Sequence, residues 1–177
     1  MRTPRCSGGS VAAVEHLLER GHRRIGFLGD LLSISTAHDR LQGYTRALLQ
    51  AGIGNDPALV RTGLRDPDVA AAAVEELLAL SDPPTALFTS QNLLTIGGAH
   101  ALRRAGLDRR IALIGFDDIP LADLVDPAIS VVAQDPQGIG QAAAELLFRR
   151  LDGDTSPTAH HVMPVELIAR GSGEFPP

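Results

Sequence analysis

The sequence contains no tryptophan, one tyrosine and one cysteine, and aromatic residues make up only 3% of its 177 positions. So few aromatic side chains leave little for the base-stacking platforms of single-strand nucleic-acid binders. The single cysteine, Cys6, excludes an intrachain disulfide and a cysteine-based zinc cluster. Basic charge is also in deficit, because 16 Lys and Arg stand against 21 Asp and Glu, a formal net charge of −5. This balance argues against a stand-alone nucleic-acid binder, which usually carries a basic face.

Long apolar runs are absent as well. No run approaches the roughly 18 apolar residues that a membrane-spanning helix needs, and the first six residues do not contain the apolar stretch of a signal peptide. We therefore expect a soluble, cytoplasmic protein. Hydrophobic residues still make up 44% of the chain, which is enough to build a core. The length predicts one domain, or at most two small ones.

Helix and strand patterns alternate regularly along the chain. Apolar residues at helical spacing predict helices over 10–20, 37–51, 66–80, 93–105 and 137–151. Short apolar runs predict strands over 24–29, 85–89, 111–116 and 129–133, with a weaker candidate at 59–62 and an extended segment at 162–170. This alternation predicts an α/β fold, a parallel sheet with helices on both faces.

Polar residues follow the predicted strands at the point where each strand ends. Ligands of open parallel sheets bind outside the carboxyl ends of the strands, so these residues would lie along one edge. Carboxylates, amides and a guanidinium suit a hydroxyl-rich small molecule, because together they accept and donate hydrogen bonds. Taken singly, such a residue is more often a helix cap or a solvated side chain. The predicted rim consists of Asp30, Ser33, Ser35, Thr36, His38, Asp39, Arg40, Ser90, Gln91, Asn92, Asp117, Asp118, Gln134 and Asp135.

Three motifs occur in order along the chain: Arg-Leu-Gln-Gly-Tyr at 40–44, Gly-Phe-Asp-Asp-Ile-Pro at 115–120, and the ending Pro-Val-Glu-Leu-Ile-Ala-Arg-Gly-Ser at 164–172. With this order and spacing, the sequence resembles the effector-binding core of LacI-type transcriptional repressors, a relative of periplasmic sugar-binding proteins. The resemblance extends over residues 8–172. It implies a type I periplasmic-binding-protein-like fold, in which two α/β subdomains close on a small effector, usually a sugar or a nucleoside.

The resemblance also implies ligand-binding roles for particular residues. Arg40 matches the family's cleft arginine, Asp117 matches its cleft carboxylate, and Gln134 matches a polar residue at the crossover into the second subdomain. Gln91 and Asn92 stand where the family usually has Asn-Asp. An amide there replaces a carboxylate, so one charge-assisted hydrogen bond to a ligand hydroxyl would become a neutral one, about half as strong. We predict no catalytic residue, no metal ligand and no cofactor.

The match covers only part of the family's architecture. It implies the following division: an irregular N-terminus at 1–7, the C-terminal effector-binding subdomain at 8–133, a remnant of the N-terminal subdomain at 134–163, and a returning strand and tail at 164–177. The helix-turn-helix headpiece and the first half of the effector core have no counterpart in the sequence, so we expect a truncated chain or a gene read from an internal start. Operator DNA would then be bound only through the headpiece, and we expect no specific DNA binding by this chain.

Truncation would have a physical consequence for the helix predicted over 137–151. Its apolar side chains would lose their partner and leave an exposed patch of roughly several hundred Å². We predict that this helix docks on another copy or takes a position different from the family's, and that a side-by-side homodimer forms the second interface. The side chains concerned are Ile139, Ala142, Ala143, Leu146, Leu147 and Leu151.

Three weaker signals for a metal site or a catalytic site do not outweigh this interpretation of the sequence. His160 and His161 are adjacent on an extended segment, point to opposite faces and do not predict a metal site. Asp117 and Asp118 resemble a catalytic carboxylate pair, but carboxylates at a strand end more often bind a ligand or cap a helix. Cys6 has no recognisable base partner.

Two other functions compete with a non-enzymatic sensor of the LacI type. A sugar-binding receptor of a transport system has the same fold, but it needs an export signal. An α/β-hydrolase fragment needs a Gly-x-Ser-x-Gly elbow, which the sequence lacks. The sequence therefore favours the sensor.

Overall fold

Short buried strands alternate with longer helices in the computed structural model, which describes residues 5–158 and 161–177. The helices are α1 (Arg5–Glu19), α2 (Ser35–Gln50), α3 (Pro67–Leu78), α4 (Asn92–Arg104) and α5 (Pro136–Leu151), and a short 3₁₀ turn spans Pro57–Leu59. The strands are β1 (Ile25–Leu28), β2 (Val60–Arg61), β3 (Ala86–Thr89), β4 (Ala112–Phe116), β5 (Ser130–Ala133) and β6 (Glu166–Ile168). None of the described helices has both the length and the apolar composition needed to cross a membrane.

All six strands form one sheet, in the order β2-β1-β3-β4-β5-β6. The first five strands of that order are parallel, and β6 runs antiparallel to β5. Every residue of β1, β3 and β4 is buried, as expected for parallel strands covered on both faces. The predicted α/β fold with a parallel sheet is therefore confirmed, and the extended segment at 162–170 supplies an antiparallel edge strand.

Helices cover both faces of the sheet. On one face, α1 and α2 pack with Phe27, Phe88 and Phe116 in a common core. On the other face, α3 and α4 pack with Leu28 and Leu87. Successive strand residues point to opposite faces, so neighbours such as Phe27 and Leu28 belong to different layers.

The helix ends follow the sequence signals in some places and depart from them in others. Asp66 caps α3 as predicted, because its side chain accepts the Val69 N–H at 2.9 Å and Pro67 takes the first helical position. The predicted irregular segment at 1–7 is wrong for residues 5–7, because α1 begins at Arg5. Residues 1–4 lie outside the described residues.

The sequence pattern does not show that α1 begins before residue 10, because Gly8 and Gly9 have low helix propensity. Packing explains one of the two. A Cβ on Gly9 would lie 2.8 Å from side-chain atoms of Val132 and Val165, so the helix can lie against β5 and the segment before β6 only without that atom. Here tertiary packing overrides local propensity.

The helix α5 differs from the other helices, because none of its described residues is buried. Leu147, Phe148 and Leu151 are 57%, 63% and 71% exposed. On its inner side, Ala142 and Leu146 line a shallow groove shared with the segment 161–165. Most of the apolar residues predicted to lose their partner are therefore exposed in the single chain. That this helix docks on a second copy or takes a position different from the family's stays a prediction.

The C-terminal segment is hydrogen-bonded to the amino-terminal edge of the sheet, where β1 and β3 begin. Buried His22 bonds the Phe175 carbonyl oxygen through Nε2 at 2.8 Å and the Thr85 hydroxyl through Nδ1 at 2.9 Å. A carbonyl only accepts, so Nε2 carries the proton and neutral Nδ1 accepts from Thr85. Burial lowers the pKa of His22, which favours this neutral form. Glu174 bonds His16 of α1 at 2.7 Å.

The helices α3 and α4 approach each other closely at Gly97. A Cβ on Gly97 would lie 2.2 Å from the Pro67 carbonyl oxygen and 2.8 Å from the Ala70 Cβ. The next residue, Gly98, has room, because the nearest atom to its Cβ position, in Thr89, is 3.5 Å away. The contact between the two helices therefore depends on Gly97 and not on Gly98.

Replacing Gly97 with alanine should lower the free energy of unfolding by about 1–3 kcal/mol, because the added methyl group forces the two helices apart. Gly98→Ala is the matched control in the same helix. It should be neutral or stabilising by up to about 1 kcal/mol, since alanine is the better helix former. Urea denaturation followed by circular dichroism measures both variants, and equal effects would contradict the close packing at Gly97.

Candidate functional site

The predicted ligand residues collect at the carboxyl edge of the sheet. The strand β3 is followed by Gln91 and Asn92, β4 by Asp117, and β5 by Gln134. The fifth residue, Arg40, reaches this edge from the buried face of α2. Because parallel strands end at the same edge, residues far apart in sequence become neighbours there.

Arg40 is only 8% exposed, and neighbouring groups hold its guanidinium in place. Its Nη1 donates to the Ser90 carbonyl oxygen at 2.6 Å and lies 3.6 Å from Oδ2 of Asp117. Its Cζ lies 3.8 Å from the centre of the Phe116 ring, which is the geometry of a cation–π contact. The result is a positive charge fixed in place at the ends of β3 and β4.

Asp117 connects that charge to the next strand. Its backbone N–H donates to the Val132 carbonyl oxygen at 2.9 Å, and its Oδ1 accepts from the Gln134 side-chain amide. Its φ of 68° is in the left-handed region, which residues with a side chain seldom adopt, aspartate more readily than most. Such conformations persist where the surroundings hold them, often at functional sites.

A polar hollow of about 310 Å³ opens beside this group. Its size falls at the lower end of the roughly 300–1,000 Å³ typical of small-molecule pockets. The residues that line it are Asn92, Asp117, Asp118, Gln134, Pro136 and Ile139. Carboxylates and amides therefore share one wall with the beginning of α5.

Not all of the predicted residues meet in this hollow. Arg40, Asp117 and Gln134 form a contiguous group, and Asn92 shares the hollow with the last two. Gln91 is engaged elsewhere, because its Nε2 donates to Oδ2 of Asp30 at 3.3 Å. The amide at Gln91 thus interacts with the loop after β1.

Asp118, although adjacent to Asp117, has different partners. Each of its carboxylate oxygens accepts a hydrogen bond from the Arg170 guanidinium at 2.7 Å. That guanidinium lowers the pKa of the Asp118 carboxyl. Two carboxylates that are engaged separately, one by Arg40 and Gln134 and the other by Arg170, do not form the coupled acid–base pair of a hydrolase.

Sequence reasoning missed two members of the site. Phe116, beneath Arg40, reads as an ordinary apolar strand residue, and only its position directly before Asp117 hints at the contact. Arg170 lies 52 positions from Asp118, and no local pattern signals a pair at that separation. In the residues that the structure describes, no three His, Cys, Asp or Glu side chains gather as a metal site would require; His160 lies outside those residues.

The fold and the hollow together define an α/β domain built to hold a small polar ligand at the carboxyl ends of its strands. The model of the periplasmic binding protein-like domain family matches residues 14–173. The chain belongs to that family, in the form of the effector-binding domain found in LacI-type transcriptional regulators.

Individual relatives agree with this assignment. The HTH-type transcriptional repressor CytR of Escherichia coli (strain K12) is 36% identical over 162 residues, which are 90% of this chain and 48% of the relative. The crystal structure of a LacI-family regulatory protein from Chloroflexus aggregans superposes with a TM-score of 0.87 at 34% identity, over 95% of this chain and 61% of that one. The structure of a complex of the transcriptional regulator CelR with cellobiose superposes with a TM-score of 0.88 at 32% identity, over 96% of this chain and 53% of that one.

These relatives are transcriptional regulators and not enzymes. The chain spans about half the length of the curated relatives that it matches.

Arg40→Lys should lower the free energy of unfolding by about 1–2 kcal/mol. Lysine keeps the positive charge but loses the planar group that stacks on Phe116 and donates to Ser90. As a control, Arg110→Lys at an exposed position before β4 should change stability by no more than about 0.5 kcal/mol. Urea denaturation at neutral pH compares the two, and an unchanged stability of Arg40→Lys would contradict the stacked position.

Proposed function

We propose that this chain senses a hydroxyl-rich small molecule, a sugar or a nucleoside, for a LacI-type transcriptional repressor. The observation that carries the proposal is the contiguous group of Arg40, Asp117 and Gln134 at the carboxyl edge of the sheet. A carboxylate accepts hydrogen bonds from two neighbouring hydroxyls, while a guanidinium and an amide donate. Neighbouring hydroxyls that require both kinds of partner are what sugars and the ribose of nucleosides present.

Each residue has a proposed part in binding. Asp117 accepts from ligand hydroxyls, and Arg40, whose Nη1 lies 3.6 Å from Oδ2 of Asp117, orients the carboxylate. Gln134 and Asn92 supply neutral donors and acceptors on the wall of the hollow. Gln91 acts indirectly, because its side-chain amide donates a hydrogen bond to Asp30.

Apolar surface at the same edge supports a ligand that also has an apolar face. Leu31, Leu32 and Ile34 follow β1 and are all exposed. A sugar ring or a nucleobase offers such a face alongside its polar groups. The CelR relative solved as a cellobiose complex is consistent with a sugar.

In the whole protein, the ligand would act by favouring one arrangement of two subdomains and so changing the affinity for operator DNA. We propose that residues 8–133 belong to the C-terminal subdomain and that 134–163, with α5, belong to the second one. The lack of buried residues in α5 supports this division. Operator DNA would be bound through a headpiece, and the protein would work in the cytoplasm, where that DNA lies.

A thermal-shift panel of cellobiose, ribose, adenosine and cytidine tests ligand binding by the chain. A compound that binds only the folded state at 100 times its Kd should add about 2.7 kcal/mol of stability, which raises Tm by roughly 5–10 °C in a chain of this size. Asp117→Asn should abolish the shift, because it removes the charged acceptor. Asp68→Asn, in the exposed first turn of α3, should retain it.

A panel that leaves Tm unchanged would contradict binding of this ligand class by the chain. A shift that survives Asp117→Asn would place the ligand outside the polar hollow.

We also propose that two copies of the chain associate through α4 and the loop at 119–127. Leu121 and Leu124 are 63% and 74% exposed on that loop. Beside them lies a largely apolar pocket of about 180 Å³, and its rim carries both signs of charge in Arg103 and Asp126. A surface with a protruding leucine, an apolar pocket and both charges suits an isologous contact, in which the same patch meets itself.

Sedimentation analysis should give twice the chain mass of 18.7 kDa, and Leu124→Glu should give a monomer, because it places a charge in the apolar contact. The matched control is Leu49→Glu at an exposed position of α2, which should leave the dimer intact. If Leu147→Glu on α5 dissociates the dimer instead, the interface is the α5 face. A monomeric unmodified chain would contradict both interfaces.

A further inference from the structure

We infer that Arg170 is a positioning residue of the ligand site, which acts through Asp118 to hold the turn that aims the Asp117 carboxylate. The inference rests on the proposed function of that carboxylate and adds a residue that follows β6, at the far edge of the sheet. The Arg170 side chain donates to Asp118 and to the Ile129 carbonyl oxygen, and its effect on Asp117 passes through the backbone between Asp118 and Asp117.

The first support is the geometry of the pair. Both carboxylate oxygens of Asp118 accept hydrogen bonds from the Arg170 guanidinium, at 2.7 Å each. Such a bidentate pair fixes the orientation of the two groups as well as their distance. Oδ1 of Asp118 also accepts the backbone N–H of Ile119 at 2.9 Å. The carboxylate is therefore held from the side of the returning segment and from its own loop.

The second support is that hydrogen bonds to the neighbouring strand hold the backbone of Arg170 in place. Its backbone N–H donates to the Ser130 hydroxyl at 3.0 Å, and its Nη1 also donates to the Ile129 carbonyl oxygen at 3.3 Å. The fully buried Ser130 receives a further bond from the Gly173 N–H at 3.2 Å. Two residues beyond Arg170, the Ser172 hydroxyl donates to the Leu113 carbonyl oxygen of β4 at 2.6 Å.

The third support is the position of Asp117 between two fixed neighbours. Phe116 is buried at the end of β4, and Asp118 is held by Arg170. Asp117 lies between them with a φ of 68°, a left-handed conformation that is uncommon for residues with a side chain and is found where the surroundings favour it. Releasing Asp118 would let the turn relax and move the Asp117 carboxylate away from Gln134.

A plain surface ion pair is the alternative explanation of these contacts. The side chains of Arg170 and Asp118 are 18% and 40% exposed, and water screens pairs of that kind, so they contribute little to stability. The two explanations differ in what happens at Asp117. A surface pair would leave the turn unchanged when it is removed, whereas a positioning pair would not.

Nuclear magnetic resonance of the ligand-free chain separates the two. In Arg170→Gln, we expect the carboxyl pKa of Asp118 to rise toward its ordinary value, as measured by a ¹³C titration. The Asp117 amide, which donates to Val132, should exchange with solvent about tenfold faster or more. The Gln134 side-chain amide protons should shift toward the values of a free amide as their bond to Asp117 is lost.

Arg170→Lys should restore these signals only in part, because lysine supplies the charge without the fork. The control Arg109→Gln removes an ion pair with Asp126, which lies in the same loop as Asp118. This variant should leave the Asp117 and Gln134 signals unchanged. The amides of Leu87 and Phe88 in β3 report global unfolding and should stay protected in all variants.

Three results would overturn the inference. In the first, the pKa of Asp118 does not change, and the pair does not form. In the second, that pKa rises while the Asp117 and Gln134 signals stay in place, and the pair is only a surface contact. In the third, the β3 amides lose protection to the same extent as Asp117, and Arg170 is merely structural. Since no ligand is present, a negative ligand panel leaves this outcome unaffected.

Discussion

The carboxyl edge of the sheet depends on one buried positive charge, that of Arg40. A buried charge is costly unless nearby groups replace the water that it loses. Here the replacement comes from the ends of two strands: the Ser90 carbonyl after β3, and the Phe116 ring and Asp117 carboxylate at the end of β4. The same contacts therefore connect Arg40 to the residues at the ends of β3 and β4 and orient the Asp117 carboxylate.

The two layers of helices contribute unequally to this edge. The layer of α1 and α2 holds the phenylalanine core and delivers Arg40 from α2. The opposite layer of α3 and α4 supplies Asn92 at the beginning of α4. Its two helices pack closely against each other at Gly97. The helix α5 belongs to neither layer, yet it begins at the hollow, so its placement and the shape of the ligand site are linked through Gln134.

Much of this arrangement could be predicted from the sequence, because it follows from local pattern. Buried parallel strands read as continuous apolar runs, so β1, β3, β4 and β5 were each predicted within a residue or two. Asp66 and Pro67 marked the beginning of α3 for a similar reason. The grouping of Arg40, Asp117 and Gln134 followed from the rule that strand ends converge, together with the family resemblance.

What could not be predicted depends on contacts between distant parts of the chain. The early beginning of α1 needs the packing of Gly9 against β5. The antiparallel β6 has too short a pattern to show its direction, and the pairing of Arg170 with Asp118 leaves no trace in either neighbourhood. The bond between Gln91 and Asp30 likewise arises only when β1 and β3 lie side by side.

The fastening of the C-terminal segment by His22 and Glu174 has a practical consequence for work on this protein. Phe175 is bonded where β1 and β3 begin, whereas the hollow opens where β4 and β5 finish. A dye, a biotin or a sensor-chip linkage joined near Phe175 would thus sit on the reverse side from the bound molecule. Attachment there would leave the hollow facing the solution.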